Sequence, residues 1–287
     1  MTKEIVVGYD ASGRATDAVT WAAAEADARG AQLRLVACYE ILHAGDAFGG
    51  WVPTEAYAAL LEDCQNSLAE IKAIVARTHP DLMITTEASA GPAAGALLDN
   101  VGPDDLIAIG AHGHHGAASL FLGSTARYLV RHSPCPVAVV RGNATLGRPD
   151  RVVVGVDGST ASDRAVQWAG NEAELHRVEL VIIHGWEYPY VPGEATQPGR
   201  DLTNVDAGCL VDRVVESARE QFGVTVTGQL AEGTPTAAIL ESVRDGDLLV
   251  LGSRGRGAIA ANLFGSTVNT VLDRCAVPVV VVRGAEE

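Results

Sequence analysis

The stretch Leu106-Ile107-Ala108-Ile109-Gly110-Ala111-His112-Gly113, followed after nine residues by Gly123-Ser124-Thr125, sets the architecture. An apolar run ending at a glycine reads as a buried strand with a tight turn at its end. Glycines let backbone N–H groups approach an anion with no Cβ in the way. Ser-Thr at the start of a helix then adds unpaired donors and partial positive charge. The pattern recurs as Leu248-Leu249-Val250-Leu251-Gly252-Ser253-Arg254-Gly255, with Gly265-Ser266-Thr267 after the same gap. Two copies of a phosphate-binding design therefore lie in one chain.

Around the first copy, strand and helix patterns alternate. Ile5–Tyr9 is a short apolar run, and Ala15–Arg29 has apolar positions at helical spacing with Gly30 as its stop. Leu33–Cys38 is the next strand. A loop over His43–Pro53 leads to a helix from Thr54 to Thr78, ended by His79-Pro80. Strand Leu82–Ala88, helix Pro92–Asn100, strand Leu106–Ile109, helix Ser124–Arg131 and strand Val137–Val140 follow. This alternation implies parallel strands joined by right-handed crossovers, an α/β doubly wound sheet. An extra helix and strand before the glycine motif place the first strand beside the fourth, giving order 3-2-1-4-5. Asp10 then faces Gly110 across a crevice at the strand ends, and Asp157 faces Gly252.

From Arg151 the plan repeats. Val154-Gly155-Val156-Asp157-Gly158-Ser159 echoes Val7-Gly8-Tyr9-Asp10-Ala11-Ser12 at a shift of 147, as Trp168 echoes Trp21. Beyond the loop Glu187–Arg200 the shift is 142, and it carries Gly110, Gly113, Gly123, Pro136 and Arg141 onto Gly252, Gly255, Gly265, Pro278 and Arg283. A repeat this long means a duplicated domain rather than a solenoid. The domains are placed at 1–142 and 151–287, with the polar stretch 143–150 as linker.

Composition narrows the ligand. With 287 residues and 47% apolar content the chain can fill two cores, but its formal charge of −15 is unfavourable for binding polyanionic DNA or RNA. A bound phosphate remains compatible, because local dipoles and a few cations decide it. Cys38, Cys64, Cys135, Cys209 and Cys275 are odd in number and scattered, which argues against disulfides and a zinc site. No signal-peptide pattern and no apolar run of roughly 18 residues is visible. The expectation is a cytoplasmic protein with neither membrane nor nucleic acid as partner.

Individual residues admit plainer roles. Asp10 and Asp157 either cap the following helix or meet a ligand, and Ser124 and Ser266 suit N-caps as well as phosphate contacts. Both copies keep every glycine, the gap and the strand-end aspartate, and two of the glycines are expected to serve phosphate approach rather than folding. His112, His114 and His115 invite a metal, but their counterparts are Arg254, Arg256 and Gly257, and arginine is no metal ligand. A cation near phosphate satisfies both copies. Trp21 and Trp168 suit core packing. His184 either borders an adenine or is buried against a backbone partner.

The G-x2-G-x9-G-[ST] motif, the Val-Gly-x-Asp strand and the final Pro136–Val140 and Pro278–Val282 strands resemble the universal stress protein family, in its ATP-binding, tandem-domain form. The resemblance covers nearly the whole chain, twice. It implies adenine near Gly8 and Asp10, and near Gly155 and Asp157. Ribose and phosphates would lie along Gly110, His112, Gly113, Gly123, Ser124 and Thr125. In the second copy they would lie along Gly252, Arg254, Gly255, Gly265, Ser266 and Thr267. It also implies one ATP per domain with magnesium or manganese on the phosphates, a stress-response sensor or regulator role, and an unidentified regulatory protein partner. The last strands would pair in a homodimer or an intramolecular domain pair. The copies differ at the ligand-facing cations, histidine in one and arginine in the other. The rival from another class is a slow ATP hydrolase or adenylyl transferase on the same fold. Against it, there is no G-x4-G-K-[ST], and the only lysines are Lys3 and Lys72. No catalytic residue is assigned. Flavin binding would suit the fold but leaves the duplicated phosphate loop without a use.

Overall fold

In the computed structural model, residues 2–39, 54–113, 122–141, 148–187, 198–253 and 265–283 are described, the side chains of 54–56 and 198–205 excepted. The chain divides into two compact units, Met1–Gly147 and Arg148–Glu287. The first runs β1 (Glu4–Gly8), α1 (Gly13–Arg29), β2 (Gln32–Tyr39), α2 (Thr54–Thr78), β3 (Ile84–Ala90), α3 (Ala93–Leu98), β4 (Leu106–Gly110), α4 (Ser124–His132) and β5 (Val137–Val140). The second repeats it as β6 (Arg151–Gly155), α5 (Thr160–His176), β7 (Glu179–Trp186), α6 (Pro198–Gln221), β8 (Val226–Glu232), α7 (Pro235–Ser242), β9 (Asp247–Gly252), α8 (Ser266–Arg274) and β10 (Val279–Val282).

Within each unit the sheet is parallel and ordered 3-2-1-4-5, namely β3-β2-β1-β4-β5 and β8-β7-β6-β9-β10. The central strands lie in register with Ile5 beside Leu106 and Val7 beside Ala108, and with Val152 beside Leu248 and Gly155 beside Leu251. Helices cover both faces of a parallel sheet, which is why these strands are apolar throughout rather than alternating. Ile5, Val6, Val7, Ile107 and Ala108 are wholly buried, as are Val152, Val153, Val154, Leu249 and Val250. Each such aliphatic side chain larger than alanine contributes roughly 1.5–3 kcal/mol relative to exposure.

The helices that start beside the strand ends are defined by their caps. Ser12 caps α1 by accepting from the Ala15 N–H, and Ser159 caps α5 by accepting from the Ser162 N–H. Helix α1 stops at Gly30 as read from the sequence, in the left-handed region at φ 63°. Its buried face is rich in alanine (Ala15, Ala18, Ala22, Ala23, Ala26), so its backbone sits close to the sheet. Two sequence boundaries shift. The third strand begins at Ile84 rather than Leu82, and the helix read as Pro92–Asn100 spans only Ala93–Leu98, since Asn100 sits at φ 60° and cannot continue it. Among the described residues no helix is long and apolar enough to cross a membrane.

Candidate functional site

At the carboxyl end of β1 the chain turns sharply before α1. Asp10 accepts the Ser12 N–H on Oδ1 at 3.0 Å, and Asp157 accepts both the Ser159 N–H at 3.0 Å and its hydroxyl at 2.6 Å. The aspartates therefore tie the turn, while the serines cap the helices. The turn needs a left-handed residue after the aspartate, supplied by Gly158 at φ 72° in the second unit and by Ala11 at φ 61° in the first.

Beside this turn lies the end of β4. The Ala111 N–H bonds to the Val140 carbonyl at 3.1 Å and the Ser253 N–H to Val282 at 2.8 Å, so the chain stays paired one residue past each first glycine. A Cβ on Gly110 would stand 2.9 Å from the Arg14 carbonyl oxygen, and one on Gly252 would stand 2.7 Å from the carbonyl carbon and oxygen of Ala161. These glycines are required because a helix backbone passes against them. A Cβ on Gly113 would lie 2.8 Å from Asp10 Oδ2, so the facing of Asp10 and the glycine turn expected from strand order is present as a contact. Gly8 meets Leu97 and Gly155 meets Leu251 and Ile239 in the same way, which leaves only their backbones for a ligand.

The second glycine cluster returns to the same place. The Gly123 N–H donates to the Ala111 carbonyl at 2.9 Å, setting the start of α4 against the end of β4. Gly123 and Gly265 are the N-cap residues of α4 and α8, with no side-chain cap bond. Ser124 and Ser266 are thus the first helical residues rather than the caps. Among the described residues, a Cβ on Gly123 would meet nothing nearer than the Ala111 carbonyl oxygen at 3.5 Å, and one on Gly265 nothing within 4 Å. Among the described residues, then, a Cβ on Gly110 would strike helix backbone, one on Gly113 the Asp10 carboxylate, and one on Gly123 nothing nearer than 3.5 Å. Ser124 and Ser266 are exposed, and Thr125 and Thr267 half-buried, at helix N-termini where N–H groups and the dipole favour an anion.

His112 does not stand out as a cation over this space. It is buried, and its Nδ1 lies 2.6 Å from a terminal nitrogen of Arg14. A guanidinium only donates, so Nδ1 accepts and the imidazole is neutral at that nitrogen. Among the described residues, the guanidinium beside His112 is that of Arg14. His114, His115, Arg254 and Gly255 lie outside the described residues.

The comparisons with known proteins bear on this duplicated geometry. The sequence model of the universal stress protein family matches residues 1–141 and again 149–283. The chain belongs to the universal stress protein family. A universal stress protein of Mycolicibacterium smegmatis is 29% identical over 297 aligned positions, spanning 97% of this chain and 96% of the relative. One of Mycobacterium tuberculosis is equally similar over the same share. The crystal structure of a universal stress protein from Archaeoglobus fulgidus covers 99% of this chain and 97% of its own, with TM-score 0.70 and 22% identity, a likeness of fold.

In this universal stress protein the remaining candidates settle into structural roles. Trp21 is buried in α1 and Trp168 half-buried in α5, where core packing was expected. His184 donates from Nδ1 to the Val156 carbonyl at 2.7 Å, the backbone partner among its two readings. It also lines a cavity of about 570 Å³ between β7 and α6 with Trp186, Asp206, Cys209 and Arg213. Arg14 is the residue that sequence reading missed. Its counterpart at the shift of 147 is Ala161, and looking for features shared by both copies discards a residue present in one.

Proposed function

We propose that this tandem universal stress protein binds one ATP in each unit and acts as a nucleotide-dependent sensor or regulator in a stress response. The observation that carries this reading is the start of α4, where Gly123 is the N-cap without a side-chain cap bond and is held against the end of β4, beside the turn that carries Asp10 and Arg14. Backbone N–H groups of residues 124 and 125 would receive phosphate oxygens there, Arg14 would supply positive charge, and Asp10 would meet the nucleoside. Gly265, Ser266, Thr267 and Asp157 hold the corresponding positions in the second unit. Magnesium or manganese would accompany the phosphates, its coordination completed by water.

The test is mass spectrometry of small molecules released from freshly purified protein, followed by titration calorimetry with ATP. ATP among the released molecules and a stoichiometry near two support the proposal. A different ligand, or no heat with ATP at either site, sinks it.

A further inference from the structure

The two copies do not carry arginine at corresponding positions of the helix that follows their first strand. In the first unit Arg14 lies on the first turn of α1, an exposed position, yet its guanidinium is held 2.6 Å from the Nδ1 of buried His112. The backbone of Arg14 is also what a Cβ on Gly110 would strike, and the Gly123 N–H closes onto Ala111. The guanidinium, residues 110–112 and the start of α4 thus gather at one strand end. In the second unit the place of Arg14 is taken by Ala161, since Ala161 presents its carbonyl to Gly252 as Arg14 does to Gly110. At the position of His112 the second copy has Arg254. Each copy carries one arginine in this pair of sequence positions.

We propose, resting on the ATP reading above, that Arg14 is the phosphate-binding cation of the first site with His112 as its positioning residue. The chemistry favours a guanidinium held from behind. Arg has five N–H donors in a planar fork that matches phosphate oxygens, and an imidazole nitrogen engages one of them and fixes the fork while the others remain for the ligand. Arginine at position 112 and alanine at position 14 would make the first site resemble the second.

The experiment is calorimetry on the full chain with ATP and, separately, adenosine. It compares wild type with Arg14→Gln, Arg254→Gln, His112→Ala and the exchange Arg14→Ala/His112→Arg, with melting temperatures in parallel. Arg14→Gln is expected to weaken ATP at one of the two sites by roughly 10- to 100-fold, the range of a charge-assisted hydrogen bond, with adenosine unchanged. Arg254→Gln, a substitution in the second copy, should leave the site that Arg14→Gln weakens unchanged, and His112→Ala should give a smaller loss of the same kind as Arg14→Gln. The exchange should recover ATP affinity to within roughly threefold of wild type, an outcome that a merely structural role for His112 would not produce.

If wild type binds no ATP, the proposed function fails and this inference with it. If wild type binds two ATP and Arg14→Gln changes nothing, or weakens ATP and adenosine equally, only the assignment of Arg14 is overturned. If Arg14→Gln separates ATP from adenosine but the exchange does not recover affinity, the shared role of positions 14 and 112 is overturned.

Discussion

Asp10 and Gly113 are held so close that a Cβ built on Gly113 would lie 2.8 Å from Asp10 Oδ2, although 102 residues separate them in the chain. The contact joins the turn after β1 to the turn after β4, the two elements between which a ligand at a strand-order reversal is held. Both residues are exposed, so the carboxylate can swing away from an added methyl. Gly113→Ala is therefore expected to change stability by less than about 1 kcal/mol while weakening ATP at the first site about tenfold. Calorimetry and a denaturation curve on the same sample would check both; a large stability loss would mean that the turn cannot absorb the methyl.

The motif glycines separate into two kinds that mutation should distinguish. At Gly110 and Gly252 an added Cβ runs into helix backbone at 2.9 and 2.7 Å, and backbone cannot rotate away. Alanine at either position should destabilise its unit by roughly 1–3 kcal/mol. Among the described residues a Cβ at Gly123 or Gly265 meets nothing nearer than 3.5 Å, so the stability cost of Gly123→Val and Gly265→Val is expected to be that of the poorer N-cap, about 1 kcal/mol, while each removes one ATP. Urea unfolding ranks the four variants. Equal stability losses at all four would mean that the space before Gly123 and Gly265 is filled in solution.

Turnover of bound ATP is expected to be slow. The His112 Nδ1 accepts from Arg14 and is not available there as a base, and the Asp10 Oδ1 is occupied by the Ser12 N–H. Single-turnover hydrolysis should fall well below roughly 1 per second. A rate at or above that value would place the protein among ATP hydrolases.

Cys135 links stability to alkaline pH. It is buried, and burial pushes its thiol up to about 11, the hydrogen bond with Ser133 offsetting only part of the effect. In the unfolded chain the thiol ionises near 8.5. The folded state therefore binds the proton more tightly, and stability falls as pH rises from the unfolded value towards about 11. The loss assignable to this thiol is about 3–4 kcal/mol, at 1.36 kcal/mol for each pH unit between about 8.5 and about 11. Urea unfolding between pH 7.5 and 10.5, wild type against Cys135→Ala, would show a steeper decline in wild type. The same thiol should resist iodoacetamide at pH 8 while exposed Cys209 reacts.

Much of this molecule was legible in its sequence because the signals are local. Apolar runs such as Ile5–Val7 and Leu248–Leu251 are continuous since both faces of a parallel sheet are covered, and glycine stops such as Gly30 need only their own backbone geometry. The duplication followed from comparing the chain with itself, and strand order from the number of crossovers before the glycine motif. Those features determined the doubly wound fold, the tandem repeat and the strand ends at which the candidate site lies. The tertiary structure alone decided what each residue does there. Gly110 and Gly123 are both motif glycines, yet a Cβ on one would strike the Arg14 backbone at 2.9 Å while, among the described residues, a Cβ on the other meets nothing nearer than 3.5 Å. His112 seemed a candidate cation and proved to be the acceptor that holds one. Such distinctions depend on which atoms of α1 stand beside β4, nearly a hundred residues away, and no pattern along the chain encodes a contact made by one copy of a repeat and not by the other.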